Sequence, residues 1–311
     1  MTWQRAEETW LGTAARRSAH TERAYRNALN DFKRFISPRG LGEIGGGDVA
    51  AWANDLAQRG LAESTINARL AALSSFYRFC MTSFTDEHGI GLIGFNPVSA
   101  VERARITPYG KSRPLSPEQV RTLLDAVNRS TVQGMRDYAM ILMAVFTGRR
   151  SAEIRHLRWG DIMHTADGRV RYHWRGKGGK ERWDDLPQPV YDAICLYLEV
   201  AGRTDLHTDD YIFVSLNGDN EPLSSEWYNQ TVKRYAQAAG LPAWVHAHTL
   251  RHTAAHLRVR AGQSVLEIQR LLGHANLRIT QIYLDAQWGF QDTGWQAVQE
   301  VLAGSNEVDR Q

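Results

Sequence analysis

Between His20 and Ile36 the apolar positions Ala24, Tyr25, Ala28, Leu29, Phe32, Phe35 and Ile36 recur at the i, i+3, i+4, i+7 spacing. That period predicts an amphipathic helix with one apolar stripe. A loop closing on Gly45-Gly46-Gly47 leads to Asp48, read as the cap of a second helix that runs to about Gln58 and stops at Gly60. A third helix opens at Ser64 or Thr65 and is apolar at Ile66, Leu70, Leu73, Phe76, Tyr77 and Cys80. Residues 82–97, rich in Gly, Ser, Asp and Asn, read as a loop, and Asn96-Pro97 starts one more short helix. The N-terminal third is therefore expected to be all helical.

Residues 103–114 are polar and basic and contain Pro and Gly, which marks a domain boundary. The expected organisation is a helical domain over 1–107, a linker over 108–114 and a second domain over 115–311. The second domain opens with Ser116 as N-cap, Pro117 at the first helical position and Gln119 at the third, a strong helix start. That helix reaches about Val127, and another covers Met135 to Phe146. From Asp161 to Leu186 the period changes, and turn signals at Asp167-Gly168 and Gly176-Lys177-Gly178-Gly179 separate short segments. A small antiparallel sheet is predicted there. Helices resume near Pro189, at roughly 189–201, 224–239, 249–261, 264–272, 276–285 and 293–302. The fold class is mainly α, with an α+β C-terminal domain.

The chain has 311 residues, 43% hydrophobic and 23% charged, enough apolar content for two cores and too much for wholesale disorder. No apolar run approaches the ~18 residues of a membrane span. The opening MTWQRAEETW lacks the apolar segment of a secretory signal. Cys80 and Cys195 sit inside apolar helical patterns and read as core residues of a reducing compartment, so a cytoplasmic location is expected. A net charge of +3 is a weak pointer to nucleic acid. Its quality says more: of 37 basic residues only Lys33, Lys111, Lys177, Lys180 and Lys233 are lysines. Arginine forks suit phosphate, although an arginine-rich codon bias gives the same composition.

Five places carry candidate chemistry. In Thr147-Gly148-Arg149-Arg150-Ser151-Ala152-Glu153-Ile154 one helix ends and another begins, and Glu153 lies three residues after Arg150, on the same helical face. The segment Arg175 to Arg182 puts Lys177 and Lys180 at a hairpin tip but lacks the spacing of a nucleotide-binding loop. His248-Thr249-Leu250-Arg251-His252 places His248 and Arg251 one turn apart near a helix start, where anions are favoured. His248, His252 and His256 stand four apart, an imidazole spacing that would suit zinc, but no Cys or Glu completes such a site and no metal is expected. His274 leaves a helix end after Gly273, and Tyr283 sits in Thr280-Gln281-Ile282-Tyr283. Taken singly, each reads as an ordinary surface pair, turn, cap or half-buried tyrosine.

Taken in order, Arg, Lys, His-x-x-Arg, Gly-His and a Tyr nine residues later resemble the tyrosine recombinase (phage integrase) family, over nearly the whole chain. The helices at Thr21–Phe35 and Ser64–Phe79 with Asn96-Pro97 resemble its helical, SAM-like core-binding domain, and the size is similar to compact Xer-type and transposon-borne members. The resemblance implies cleavage and rejoining of duplex DNA through a 3′-phosphotyrosyl link, without metal, ATP or any other cofactor. It implies that Arg150 and Arg251 clamp the phosphate and that Tyr283 is the nucleophile. His248 accepts a proton, His274 bonds a phosphoryl oxygen and Lys177 is the general acid, with Lys180 as its alternative. Glu153 orients Arg150. The implied partners are double-stranded DNA with specific recombination sites and other copies of the chain, a dimer per site and a tetramer in synapsis, with no membrane. The helix near Trp295 to Leu302 either docks on a neighbouring subunit or packs on its own domain.

The sequence departs from the family pattern in several places. Arg149 stands where an apolar residue is usual, Ala152 replaces a common Ser, Leu284-Asp285 follows the tyrosine in place of the frequent Thr-His, and the segment 82–95 is longer than in minimal members. Three rival readings are a type IB topoisomerase-like nicking-closing enzyme, a DNA-binding relative that has lost catalysis, and a zinc-dependent hydrolase built on the histidines.

Overall fold

The computed structural model describes residues 3–13, 19–85, 93–105, 113–176, 179, 181–218 and 220–273. The chain divides into two compact units, Met1–Thr107 and Pro108–Gln311. In the first, α1 (Trp3–Leu11), α2 (Ala19–Ile36), α3 (Gly46–Gln58) and α4 (Glu63–Ser83) surround a core of Leu29, Phe32, Trp52, Leu70, Leu73 and Phe76. A 3-10 turn at Pro97–Ala100 follows, capped by the Asn96 side chain, which accepts from the Val98 N–H at 3.1 Å.

Three local expectations are corrected here. The apolar stripe of α2 is narrower than its spacing implies: Ala28, Leu29, Phe32 and Ile36 are buried, whereas Ala24 is exposed and Phe35 is 41% exposed. The core takes only part of the stripe, with Phe32 meeting Trp52 of α3 at 4.9 Å between ring centroids, and Asp31 is buried on the same helix beside Arg59 at 3.1 Å and Arg69. Asp48 lies at the third position of α3 and caps backwards, its carboxylate accepting from the Gly45 N–H at 2.8 Å. Helix α4 opens at Glu63, one residue before the predicted start. In addition, α1 was not foreseen. Trp3, Ala6 and Trp10 follow helical spacing, and Trp10 stacks on Tyr25 with ring centroids 5.0 Å apart. Its charged residues mask that short pattern.

The second unit contains α5 (Pro117–Asp125), α6 (Val132–Thr147), α7 (Ser151–Arg155), β1 (Ile162–His164), β2 (Val170–Arg175) and β3 (Glu181–Asp185). Helices α8 (Gln188–Val200), α9 (Ser225–Ala238), α10 (Ala247–Arg260) and α11 (Val265–Leu272) follow. Ser116 caps α5 as its sequence dictates, accepting from the Gln119 N–H at 3.2 Å while the Gln119 side chain accepts from the Ser116 N–H at 2.9 Å. Helix α6 is buried nearly all round, with Ala139 through Val145 all at or below 5% exposure, so it forms the axis of this unit. Helices α8 and α10 pack on it. The sheet is antiparallel in the order β1-β2-β3, with Tyr172 opposite Asp184 and Trp174 opposite Arg182. Along β2, Val170, Tyr172 and Trp174 alternate inward, as a half-buried strand requires. No helix among the described residues is long and apolar enough to cross a membrane. The segments predicted as helices at 276–285 and 293–302 lie outside the described residues.

The narrower stripe on α2 separates two aromatic truncations. Trp52→Ala removes a side chain at 0% exposure and is expected to lower unfolding free energy by about 3–5 kcal/mol. Phe35→Ala on the exposed flank is expected to change it by about 0.5 kcal/mol or less. Urea denaturation of both variants checks the assignment.

Candidate active site at the junction of α6, α10 and α11

The site is built on a helix end. Gly148 terminates α6 in the left-handed region at φ +64°, where a Cβ would be strained. A Cβ there would also stand 2.6 Å from Leu272 Cδ2 and 3.3 Å from Ala254 Cβ, so the glycine lets α11 and α10 close over the end of α6. Arg149 and Arg150 follow at once and diverge. Arg149 turns inward, with its side chain fully buried, and its Nη2 bonds Asp184 Oδ2 at 2.9 Å. Arg150 turns outward, with its side chain 36% exposed.

Arg150 is also the N-cap of α7, and Glu153 holds it twice. One carboxylate oxygen accepts from the Arg150 backbone N–H at 2.9 Å, and the other accepts from Nη1 at 2.8 Å. Glu153 is buried, so this carboxylate both caps the helix and fixes the guanidinium in one orientation.

Helix α10 brings the next two side chains. Its first turn is anchored from α9, where Asn229 Oδ1 accepts from the Ala247 N–H at 3.2 Å. Its middle is anchored by Thr253, whose hydroxyl accepts from the Leu115 N–H at 3.0 Å. Arg251 projects from α10 beneath the junction at 1% exposure. Its Nη1 donates to the Gly148 carbonyl and its Nη2 to the Leu272 carbonyl, both at 2.6 Å. One guanidinium therefore ties the end of α6 to the end of α11.

His248 lies one turn before Arg251 on the open side of the helix. Its ring meets His252 edge to face, with centroids 4.6 Å apart. Its pKa is pushed down to about 4, first by desolvation in the surrounding protein and then by the positive charges of Arg251, His246 and Arg150. The imidazole is accordingly neutral at pH 7 and has a nitrogen able to accept a proton. The surface guanidinium of Arg150 and the neutral imidazole thus share one electropositive neighbourhood, with Arg251 buried beneath it, an arrangement that suits an anion and proton transfer beside it.

The matched family models span both units. Residues 113–288 match the phage integrase family, and residues 10–83 match the phage integrase N-terminal SAM-like domain. Among curated relatives, tyrosine recombinase XerD of Pseudomonas aeruginosa is 33% identical over 273 residues, covering 85% of this chain and 86% of its own. Tyrosine recombinase XerC of Oceanobacillus iheyensis is 31% identical over 274 residues, covering 86% and 85%.

The chain belongs to the tyrosine recombinase (phage integrase) family.

It is a DNA strand-transferring enzyme of that family. Solved structures show the same fold. A XerH site-specific recombinase bound to a palindromic difH substrate aligns with a TM-score of 0.73 at 22% identity, over 91% of this chain and 79% of that one. A lambda integrase(75–356) dimer bound to a COC' core site aligns with a TM-score of 0.72 at 20% identity, over 93% and 97%.

Of the residues that the sequence nominated, Arg150, Glu153, His248 and Arg251 are brought together. Arg251 differs from expectation in being buried and bonded to backbone, so half of the expected clamp is on the surface and half lies beneath it. Lys177, Lys180, His274 and Tyr283 lie outside the described residues. The histidines at 248, 252 and 256 do not form a metal centre: among the described residues no group of three or more His, Cys, Asp or Glu is disposed to hold an ion. Sequence reasoning missed the network around Arg149, in which Asp184 and Trp174 take part. Its signal was present as an arginine at an apolar position of the family pattern.

The depressed pKa of His248 has a stability consequence. Its folded pKa lies below the unfolded value of about 6.5, so the unfolded state binds more protons between those values. The contribution is full above about pH 6.5 and is lost as pH falls toward 4. Unfolding free energy measured from pH 7 to 4 is expected to fall more steeply for the parent than for His248→Gln; parallel curves would contradict the assigned environment.

Proposed function

We propose that the protein is a site-specific recombinase of duplex DNA that works through a covalent 3′-phosphotyrosyl intermediate on Tyr283. The observation that carries this reading is the convergence of Arg150, Arg251 and His248 at the α6–α10–α11 junction. A phosphodiester resists nucleophiles because it is anionic. Arg150 neutralises a non-bridging oxygen from the surface, and Arg251 joins it once DNA binding frees its Nη groups from the Gly148 and Leu272 carbonyls; together they favour the crowded transition state. The Tyr283 phenolic oxygen attacks phosphorus, the P–O5′ bond breaks, and the 3′-phosphate remains on the tyrosine. The phenolic proton passes to neutral His248, and Lys177 protonates the departing 5′-oxygen. His274 donates to a phosphoryl oxygen, and Glu153 keeps Arg150 aimed. The phosphodiester is exchanged for another phosphoester, so a 5′-hydroxyl can reverse the step on a new strand without ATP. Metal is not needed in this scheme.

The helical unit and the catalytic unit bind the duplex together, and exchange between two sites calls for several copies of the chain, a dimer on each site and a tetramer in synapsis. Cytoplasmic DNA is the substrate in this reading. Phosphate contacts by arginines make affinity fall steeply with salt. The nicking-closing alternative shares the chemistry and differs in needing no paired sites.

The test is a nicked substrate from which the short fragment bearing the new 5′-hydroxyl diffuses away after cleavage. The parent protein is expected to become attached to the 3′ end in the presence of EDTA, and Tyr283→Phe is expected to form no adduct. An adduct on Tyr283→Phe overturns the nucleophile, and loss of cleavage in EDTA overturns the metal-free scheme. Relaxation of supercoiled DNA by a strictly monomeric variant, without exchange between sites, favours the nicking-closing alternative.

A further inference from the structure

Arg149 has no role in that scheme, yet its side chain is as buried as any in the protein, at 0% exposure. An apolar residue fills such a space without the several kcal/mol of desolvation that a buried charge incurs. The guanidinium lies 4.2 Å over the Trp174 ring of β2. Its Nη2 donates both to Asp184 Oδ2 of β3, at 2.9 Å, and to the Leu271 carbonyl of α11. Nε and Nη1 have no hydrogen-bond partner among the described residues, and the Tyr172 ring lies 5.8 Å from the guanidinium.

The contacts join elements. Asp184 Oδ2 also accepts from Trp174 Nε1 at 2.7 Å and from Arg182 Nη2 at 3.0 Å, which locks β2 to β3. On the other side, Arg149 and Arg251 hold the consecutive carbonyls of Leu271 and Leu272. Gly273, at φ +66°, presses on the same indole: a Cβ there would stand 3.0 Å from Trp174 Cη2. The connection between β2 and β3 carries Lys177 in the sequence, and the residue after Gly273 is His274.

We infer that Arg149 is a positioning residue, an internal strut that sets the β2–β3 hairpin against the end of α11 and so against the Arg150–Arg251 pair. The inference rests on the proposed role of Lys177 as general acid. Arg149 is enclosed and does not touch DNA; it acts through Asp184 and Trp174.

The experiment uses the full chain and two cleavage substrates, one normal and one with sulfur in place of the bridging 5′-oxygen. A thiolate leaves without a proton, so the sulfur substrate bypasses the general acid. Arg149→Met is expected to slow single-turnover cleavage of the normal substrate about tenfold at saturating DNA, with unchanged DNA affinity. The sulfur substrate is expected to restore its rate to within about threefold of the parent. Arg149→Lys, which keeps the charge but loses the planar fork, recovers part of the normal rate. Parent-like cleavage of the normal substrate by Arg149→Met overturns the inference, as does an equal loss on both substrates. Lys177→Ala is the control for the underlying reading: if sulfur does not restore its cleavage, the acid assignment fails. The strut is then judged by coupling, since Arg149→Met and Asp184→Asn are expected to lose rate non-additively whichever group is the acid. Additive losses overturn it. Should Arg149→Met not fold, Arg149→Lys and Asp184→Asn carry the same comparison.

Discussion

At 1% exposure, the Arg251 guanidinium places both Nη groups on protein acceptors, the carbonyls at the C-terminal ends of two helices. That placement organises the catalytic unit. Gly148 O is presented because α6 ends in a left-handed glycine, and Leu272 O because α11 ends in another, Gly273. Carbonyls at helix C-termini carry partial negative charge and lack intrahelical partners, so a buried cation satisfies both needs at once. The same bonds fix where Arg150 departs from the end of α6.

Electrostatics at the junction follow from that arrangement. Arg149, Arg150 and Arg251 concentrate positive charge, and two carboxylates offset it: Asp184 on the inner side and Glu153 on the outer. Among the described residues no carboxylate acts on His248; its surroundings and the nearby arginines hold it neutral. A neutral imidazole next to exposed Arg150 is the state that the proposed proton transfer requires, reached without a dedicated carboxylate partner.

The parts of this design legible in sequence were those with strong local rules. The Ser116-Pro117-Gln119 start, the Thr-Gly stop of α6 and the change of period over the sheet all appear where the pattern placed them. The Arg150–Glu153 pair was readable because a three-residue spacing within one helix needs no tertiary information. What local rules could not supply was direction. Arg149 and Arg150 are chemically identical neighbours, and only the packing of Trp174 and Leu271 decides that the first turns inward. Phe35 and Ile36 look equivalent in the stripe, but only the latter is buried. Burial of Arg251 depends on two carbonyls 103 and 21 residues away in the chain, which no spacing rule encodes.

Arg150 at the head of α7 and His248 and Arg251 of α10 are proposed to act on a single phosphate. The most direct measurement is a crystal structure of the Tyr283→Phe protein bound to duplex DNA carrying its cleavage site. One backbone phosphate is expected within hydrogen-bond distance of Arg150, Arg251 and His248 together. Guanidiniums engaged on different phosphates, or an Arg251 still sealed on Gly148 and Leu272 with no phosphate in reach, would contradict it.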